Sequence, residues 1–353
     1  MKEDLIRKLA EFAPTEMPVL SIYLDMRPQA TGGNPGVRSG EIVLKDRLHE
    51  IEKTYLPRGE DLDSFTADRE RIENFVGSKM SPATSGLIIF ACSAKDLWEV
   101  EEVGATLENE VKVGKVPSLF QLAKMLDEYD TAVIAVIDTN TARFFVTGYG
   151  KLKKRAAPND EDTKAYNKTS GGGWSQLRYQ RIVENTRDEF SEVIVKDLED
   201  LIEKVDAKNL IVAGDEIATT LLKNNLSFKA KEILYVEFLR IDIGAPRNEF
   251  EDEVRGILDE IESDDAHSQA DKLVGAVRGD YLGVAGLKAT EQALKNGQVS
   301  TLLLDPNAEN LDENKRNELI RLAETTGAKI EIVENHEQFA ALEGIGALLR
   351  YKI

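Results

Sequence analysis

Apolar residues recur along this chain with two periods, about 2 and about 3.6, and the switches between them mark out the elements. "PVLSIYLDM" is dense in β-branched and apolar residues and is bounded by Pro18 and the loop "RPQATGGNPG", which predicts a strand. In "VRSGEIVLKDRLHEIEKTYL", Ile42, Val43, Leu48, Ile51 and Tyr55 fall at helical spacing, and the pattern stops at Pro57. "DSFTADRERIENFVGSK" predicts a second helix, "SGLIIFACS" a buried strand with "LWEVEEV" as its partner, and "PSLFQLAKMLDEY" a helix entered through proline.

A second unit opens with "DTAVIAVIDTNTARFFVTGYGKL", two apolar strands around the polar turn "TNT", a hairpin pattern. A connection of about twenty residues follows, long for a compact domain. Tyr179, Val183, Phe190, Ile194, Leu198, Leu201 and Val205 then fall on one stripe, and no Gly or Pro occurs from Trp174 to Ala213. This predicts one helix of about 30 residues, about 45 Å long. Strand "NLIVAGD", helix "IATTLLKNNL", strand "EILYVEFLRID" and helix "NEFEDEVRGILDEIE" complete the unit. The polar stretch "SDDAHSQ" reads as a boundary, after which helices alternate with the strands "VSTLLLD", "AKIEIVE" and "IGALLRY". The expectation is three consecutive α/β domains, 1–127, 128–262 and 263–353, the last a three-layer α/β/α sandwich.

Composition narrows the class. Hydrophobic residues make up 42% of the 353, enough for real cores. No apolar run approaches the roughly 18 to 20 residues that cross a membrane, and the mixed-charge start lacks a signal-peptide pattern. Cys92, the single cysteine, sits among apolar neighbours and reads as a buried structural thiol; a cytoplasmic location is expected. The net charge of −19, from 45 basic and 64 acidic residues, excludes a protein that coats nucleic acid with its whole surface. The stretch "KLKKRAAPNDEDTKAYNKTSGGGWSQLRYQRIVENTR" is the local exception, basic apart from "DED" and one glutamate.

Common catalytic signatures are missing: there is no G-x-x-x-x-G-K-[ST], H-E-x-x-H, C-x-x-C or G-x-S-x-G. His49, His267 and His336 are scattered. Asp264, His267 and Asp271 read as residues of a helix entrance rather than metal ligands, and "GDYLGVAG" as another helix entrance. Asp138, at the "TNT" hairpin, reads as a turn residue. Neither a metal nor a cofactor is expected.

"SGGGWSQLRYQR" remains. Ser175 is placed to cap the long helix, but one cap does not account for Gly171, Gly172 and Gly173, for Trp174, or for Gln176, Arg178, Tyr179, Gln180 and Arg181 in quick succession. A helix N-terminus and arginines attract phosphate, aromatic rings stack on bases, and glycines permit close approach. With Lys164 and Lys168 upstream, the segment reads as a mobile RNA-binding probe on a long stiff helix.

The domain order, the pattern "VIAVIDTNTARFFVTGYGKL", the glycine-rich loop and the final α/β/α unit resemble the archaeal and eukaryotic class-one release factors and Pelota, as a bacterial relative. The resemblance covers most of the chain and implies a ribonuclease-H-like middle domain whose Gly-Gly-Gln loop enters the peptidyl transferase centre of the large ribosomal subunit. Here the string is Gly172-Gly173-Trp174-Ser175-Gln176, a G-x-x-Q spacing similar to the branch of the eukaryotic ribosome-quality-control peptidyl-tRNA hydrolase. By that likeness Gln176 is the catalytic glutamine. The implied action is A-site entry and release of the nascent chain from peptidyl-tRNA, by ester hydrolysis or by cleavage near the tRNA CCA end. A non-catalytic factor that occupies the vacant A site under stress or in hibernation is the other reading. The family's stop-codon string Asn-Ile-Lys-Ser does not occur, which favours rescue over termination. The resemblance adds a translational GTPase as a candidate partner, and neither DNA nor a membrane is expected.

Overall fold

The computed structural model describes residues 3–27, 38–55, 59–81, 84–104, 107–128, 131–137, 141–147, 179–182, 187–235 and 247–352. The N-terminal unit comprises α1 (Glu3–Ala10), β1 (Val19–Asp25), α2 (Ser39–Tyr55), α3 (Glu60–Asn74), β2 (Gly86–Cys92), β3 (Leu97–Val103), β4 (Glu110–Gly114) and α4 (Phe120–Glu128). Its strands form an antiparallel sheet in the order β3-β2-β1-β4. β2 reads as an unbroken apolar run because both faces of this sheet are covered. Leu20, Ile22, Leu24, Leu87 and Ile89 meet Leu44, Leu48, Phe65 and Ile72 of α2 and α3 on one side. Val19, Tyr23, Ile88, Phe90 and Cys92 point the other way.

The middle unit holds β5 (Ala132–Ile137), β6 (Thr141–Thr147), β7 (Tyr179–Ile182), α5 (Arg187–Val205), β8 (Asn209–Gly214), α6 (Glu216–Asn225), α7 (Phe228–Glu232), β9 (Leu234–Tyr235) and the 32-residue α8 (Arg247–Arg278). The sheet order is β7-β6-β5-β8-β9, with the first three strands antiparallel and the last two joined in parallel to β5. This suits the ribonuclease-H-like expectation. α5 covers one face through Ile194, Leu198 and Ile202, and α8 the other through Ile257.

The C-terminal unit adds β10 (Gly283–Ala285), α9 (Leu287–Lys295), β11 (Val299–Leu304), α10 (Glu313–Thr326), β12 (Lys329–Ile332), α11 (Glu337–Ala340) and β13 (Ile345–Leu349), in the sheet order β10-β13-β11-β12. α8 and α11 lie on one face and α9 and α10 on the other, the expected α/β/α sandwich.

Three expectations need correction. The helix read from Trp174 onward starts only at Arg187, because residues 179–182 are strand β7. The polar stretch "SDDAHSQ" is not a break: α8 runs through it without interruption. At about 100° per residue, Ile257, Leu258 and Ile261 point about 140° away from Ala266, Ala270 and Leu273. The first set packs on the middle sheet and the second on the C-terminal sheet. One helix with two apolar faces gives no single stripe, and the apolar pattern breaks where the faces change over. Lastly, "GDYLGVAG" contributes the edge strand β10 before Gly286 opens α9.

The N-terminal and C-terminal units share one core. Tyr23, Ile88, Phe90, Leu119 and Leu122 are buried together with Leu302, Leu304, Leu319, Ile320 and Ile345, and α1 and α4 lie in the same cluster. Polar groups fix the register. The Asn317 side chain on α10 accepts from the Leu119 N–H at 2.8 Å and donates to the Pro117 carbonyl at 2.8 Å, both within the buried layer. Arg321 donates to the carbonyls of Ala10 and Phe12 at 3.0 and 2.5 Å, closing the C-terminus of α1. The Arg316 guanidinium lies 4.5 Å over the Phe120 ring. Asn317→Leu would strand a buried N–H and a buried carbonyl, each worth about 1–3 kcal/mol. Urea unfolding should show at least about 2 kcal/mol lost; a change within about 0.5 kcal/mol, the range of an ordinary surface substitution, would remove Asn317 from the clamp.

Candidate functional site

The glycine-rich segment connects two neighbouring strands. β6 ends at Thr147 and β7 begins at Tyr179, and the two pair antiparallel with Phe144 opposite Tyr179, Ala142 opposite Arg181 and Thr141 opposite Ile182. β6 therefore ends and β7 begins at one end of the sheet. That is the end where β5 begins, since Ala132 is paired with Thr147 and with Asn209 of β8. Among the expected site residues, Tyr179 and Arg181 lie in β7. Lys164, Lys168, Gly171, Gly172, Gly173, Trp174, Ser175, Gln176 and Arg178 lie outside the described residues. Gln176 is tied three peptide units from Tyr179, about 11 Å at full stretch.

The residues that follow the segment are therefore an edge strand and not a helix N-terminus. The sheet supplies the stiffness that the sequence had assigned to a helix. β7 pairs with β6, β6 with β5, and β5 with β8, where Val133, Ile134, Ala135 and Val136 are buried on both faces. The helix-dipole contribution to phosphate binding does not apply at residues 179–182. At the base of the connection, the Ala132 N–H bonds the Thr147 hydroxyl at 3.3 Å, and the Lys208 N–H donates to the Thr131 carbonyl at 2.7 Å.

The hairpin end that follows Ile137 is the opposite end of the sheet, since β6 runs seven residues, about 20 Å, from Thr141 to Thr147. Asp138 lies outside the described residues. Gly214 closes β8 there with φ +118°, and a Cβ on it would fall 1.9 Å from the Ile137 carbonyl oxygen. The next residue, Asp215, caps α6 by accepting from the N–H groups of Ile217 and Ala218 at 3.1 and 3.0 Å.

The other candidates resolve into structural roles. Cys92 is buried, and burial, followed by the nearby Asp68 carboxyl, pushes its thiol pKa up, which disfavours a thiolate nucleophile. Asp68 accepts from the Ser93 N–H and hydroxyl at 2.9 and 2.5 Å and holds the turn after β2. His267 sits on α8 with Nε2 3.0 Å from the Glu334 carbonyl. His336 caps α11 by accepting the Phe339 N–H at Nδ1, 3.1 Å, while its Nε2 meets Asp271 at 3.2 Å. The two imidazoles meet edge to face with centroids 5.3 Å apart, and Asp264 is exposed outside this group. Both nitrogens of His336, and Nε2 of His267, are spent on structural contacts.

One constellation gave no sequence signal. Asp127 at the end of α4, Glu262 in α8 and Glu331 in β12 bring carboxylate oxygens within 4.8 Å of one another. Their positions are far apart in the chain, so only the packing of three elements assembles them. Burial first, then the charges of Glu331 and Glu262, raise the Asp127 pKa to about 9, so its carboxyl keeps its proton at neutral pH.

Among the described residues, no helix is long and apolar enough to cross a membrane. Gly214→Ala should lower the melting temperature of the chain, since the methyl has no room at the β5–β8 join, whereas Gly256→Ala in α8, with open space around it, should be neutral or stabilising by about 0.5–1 kcal/mol. Thermal unfolding of the two variants decides this; equal effects would contradict the close approach.

Residues 117–255 match the model of bacterial archaeo-eukaryotic release factor family 10, and residues 267–353 match eRF1 domain 3. The chain is 28% identical over 198 residues to peptide chain release factor subunit 1 of Aeropyrum pernix, covering 52% of this chain and 51% of that protein. It is 28% identical over 189 residues to the pelota homolog of Pyrococcus abyssi, covering 50% and 52%. The chain thus spans about half the length of the curated relatives it matches. The structure of S. cerevisiae Dom34, a translation termination-like factor, aligns at 10% identity and a TM-score of 0.47 over 100% of this chain and 92% of that one. The chain thus carries a bacterial archaeo-eukaryotic release factor family domain in its centre and an eRF1 domain 3 at its end.

Proposed function

We propose that this protein is a ribosome-rescue factor that enters the A site of the large subunit and frees the nascent chain from peptidyl-tRNA through Gln176. The observation that carries the reading is the β6–β7 ladder inside the release factor family domain. The sequence Gly171-Gly172-Gly173-Trp174-Ser175-Gln176 lies between these two paired strands in the chain, which supports the reading. The chemistry follows from the residue types. A neutral amide is too weak a base to take a proton, so Gln176 acts by orienting water, or a ribose hydroxyl, and by hydrogen-bonding developing charge. Glycine lets backbone approach crowded RNA, and Trp174 offers a stacking face. Arg178, Arg181, Lys164 and Lys168 neutralise phosphate locally in a chain that is otherwise strongly acidic. The same acidity suits the C-terminal unit to protein partners, a translational GTPase among them, more than to RNA.

The test uses large subunits carrying labelled peptidyl-tRNA. The wild-type protein should release the peptide, and Gln176→Ala should lower the single-turnover rate by about 10²-fold or more, the effect of removing one positioned donor. A full-length tRNA product identifies ester hydrolysis, and a tRNA lacking CCA identifies nucleolytic release. Tight binding of both proteins with intact peptidyl-tRNA would replace this reading with the occupancy factor, and absence of ribosome binding would reject both.

A further inference from the structure

The Asp127–Glu262–Glu331 cluster sits where the three units meet. Asp127 ends α4, the last helix before the middle sheet. Glu262 lies in α8 between Ile261, packed on the middle sheet, and Ala266, packed on the C-terminal sheet. Glu331 is in β12 of the C-terminal unit and is fully buried. The two chain connections of the middle unit, after α4 and along α8, thus converge on one strand of the C-terminal unit.

We propose that the three carboxyl groups share a retained proton, and that this proton is the latch that holds the middle unit's two connections against the joined N-terminal and C-terminal units. The hydrogen bonds fix the geometry. Asp127 Oδ2 accepts from the Ile332 N–H at 2.6 Å, which ties the end of α4 to β12. Lys329 Nζ lies 3.0 Å from Glu331 Oε2 and 3.8 Å from Asp265. Burial alone would lower the Lys329 pKa, but the Glu331 carboxylate, with Asp265 beyond it, outweighs burial and raises it, so the amine stays charged. One ammonium cannot balance three ionised carboxylates in a buried site, and the cheapest remedy is for one of them to stay protonated. A proton held among carboxyl oxygens that lie within 4.8 Å of one another then removes the like-charge repulsion between elements of different units.

Other charges face the site. On α4, Lys124 pairs with Glu128 at 3.4 Å and with Glu334 at 2.7 Å. Glu128, raised in pKa by its own burial, is also within reach of the charge of Asp259 on α8. The surroundings are acidic from α4, from α8 and from the segment after β12, so they favour retention of the proton.

The direction of the pH dependence follows. Asp127 holds its proton more tightly folded, near pKa 9, than unfolded, near 3.8. The latch contributes fully at low pH, weakens as pH rises beyond about 4 relative to the unfolded chain, and is lost as pH passes about 9. This device is independent of the chemistry at Gln176.

The experiment places spin labels on exposed Lys204→Cys in the middle unit and Thr325→Cys in the C-terminal unit, in a Cys92→Ala background, and measures the distance distribution and the melting temperature at pH 6.5 and pH 10. The wild-type cluster should give a narrow distribution at pH 6.5 and a broad one at pH 10, with a lower melting temperature. Asp127→Asn, which keeps the acceptor and a donor without a charge, should be narrow at both and melt higher than the wild-type cluster at pH 10. Should Asp127→Asn fail to fold, Glu262→Gln serves: it should shift the midpoint of the pH transition to lower pH and shrink its amplitude. A wild-type distribution that does not change with pH, or an unchanged profile in both variants, overturns the proposal. So does narrowing of the wild-type distribution at pH 10 by millimolar Mg²⁺ or Ca²⁺, which would make the cluster a cation site.

Discussion

Burial of one apolar sheet face of the N-terminal unit against the C-terminal unit is the constraint on which the remaining structure depends. Val19, Tyr23, Ile88 and Phe90 cannot face water, and α1 and α4 alone do not enclose them. α10, together with Leu302, Leu304 and Ile345, completes the enclosure, so the first and last parts of the chain form one packed body although the middle unit separates them in sequence. Hydrophobic burial is non-directional, and the Asn317 and Arg321 bonds to backbone carbonyls and an N–H set the register that it leaves open.

This closure governs the middle unit. With its neighbours joined, that unit is held at α4 and at α8, and both pass the Asp127–Glu262–Glu331 cluster. α8 has no independent identity within either unit, since its two halves are the packing layers of two different sheets. Motion of the middle sheet is therefore coupled to α8. β6 ends and β7 begins at the end of that sheet where β5 and β8 begin.

Most elements were legible because their packing is local. β1, β2, β5 and β8 announce themselves as apolar runs, and α2, α3 and α10 as stripes ended by proline or glycine. β4 was not legible: "EVKVG" is only five residues long, four half-buried and Gly114 exposed. β7 was lost for a different reason. Tyr179 also fits a helical stripe with Val183 and Phe190, and nothing local separates the two periods until β6 offers a hydrogen-bonding edge. The change of faces in α8 imitated a domain linker, since Ser263, Asp264 and Asp265 are polar and exposed on an unbroken helix.

The sequence by itself determined the α/β class, the order of the three units and the glycine-rich segment that nominates Gln176, because each is encoded in neighbouring residues through backbone preference and periodicity. Tertiary structure alone decided that the segment is rooted in a strand, that the two outer units share a core and that three distant carboxyl groups meet at the junction. Strand pairing, shared burial and the energy of like charges depend on which elements come together in space, and that information is carried by no short stretch of the chain.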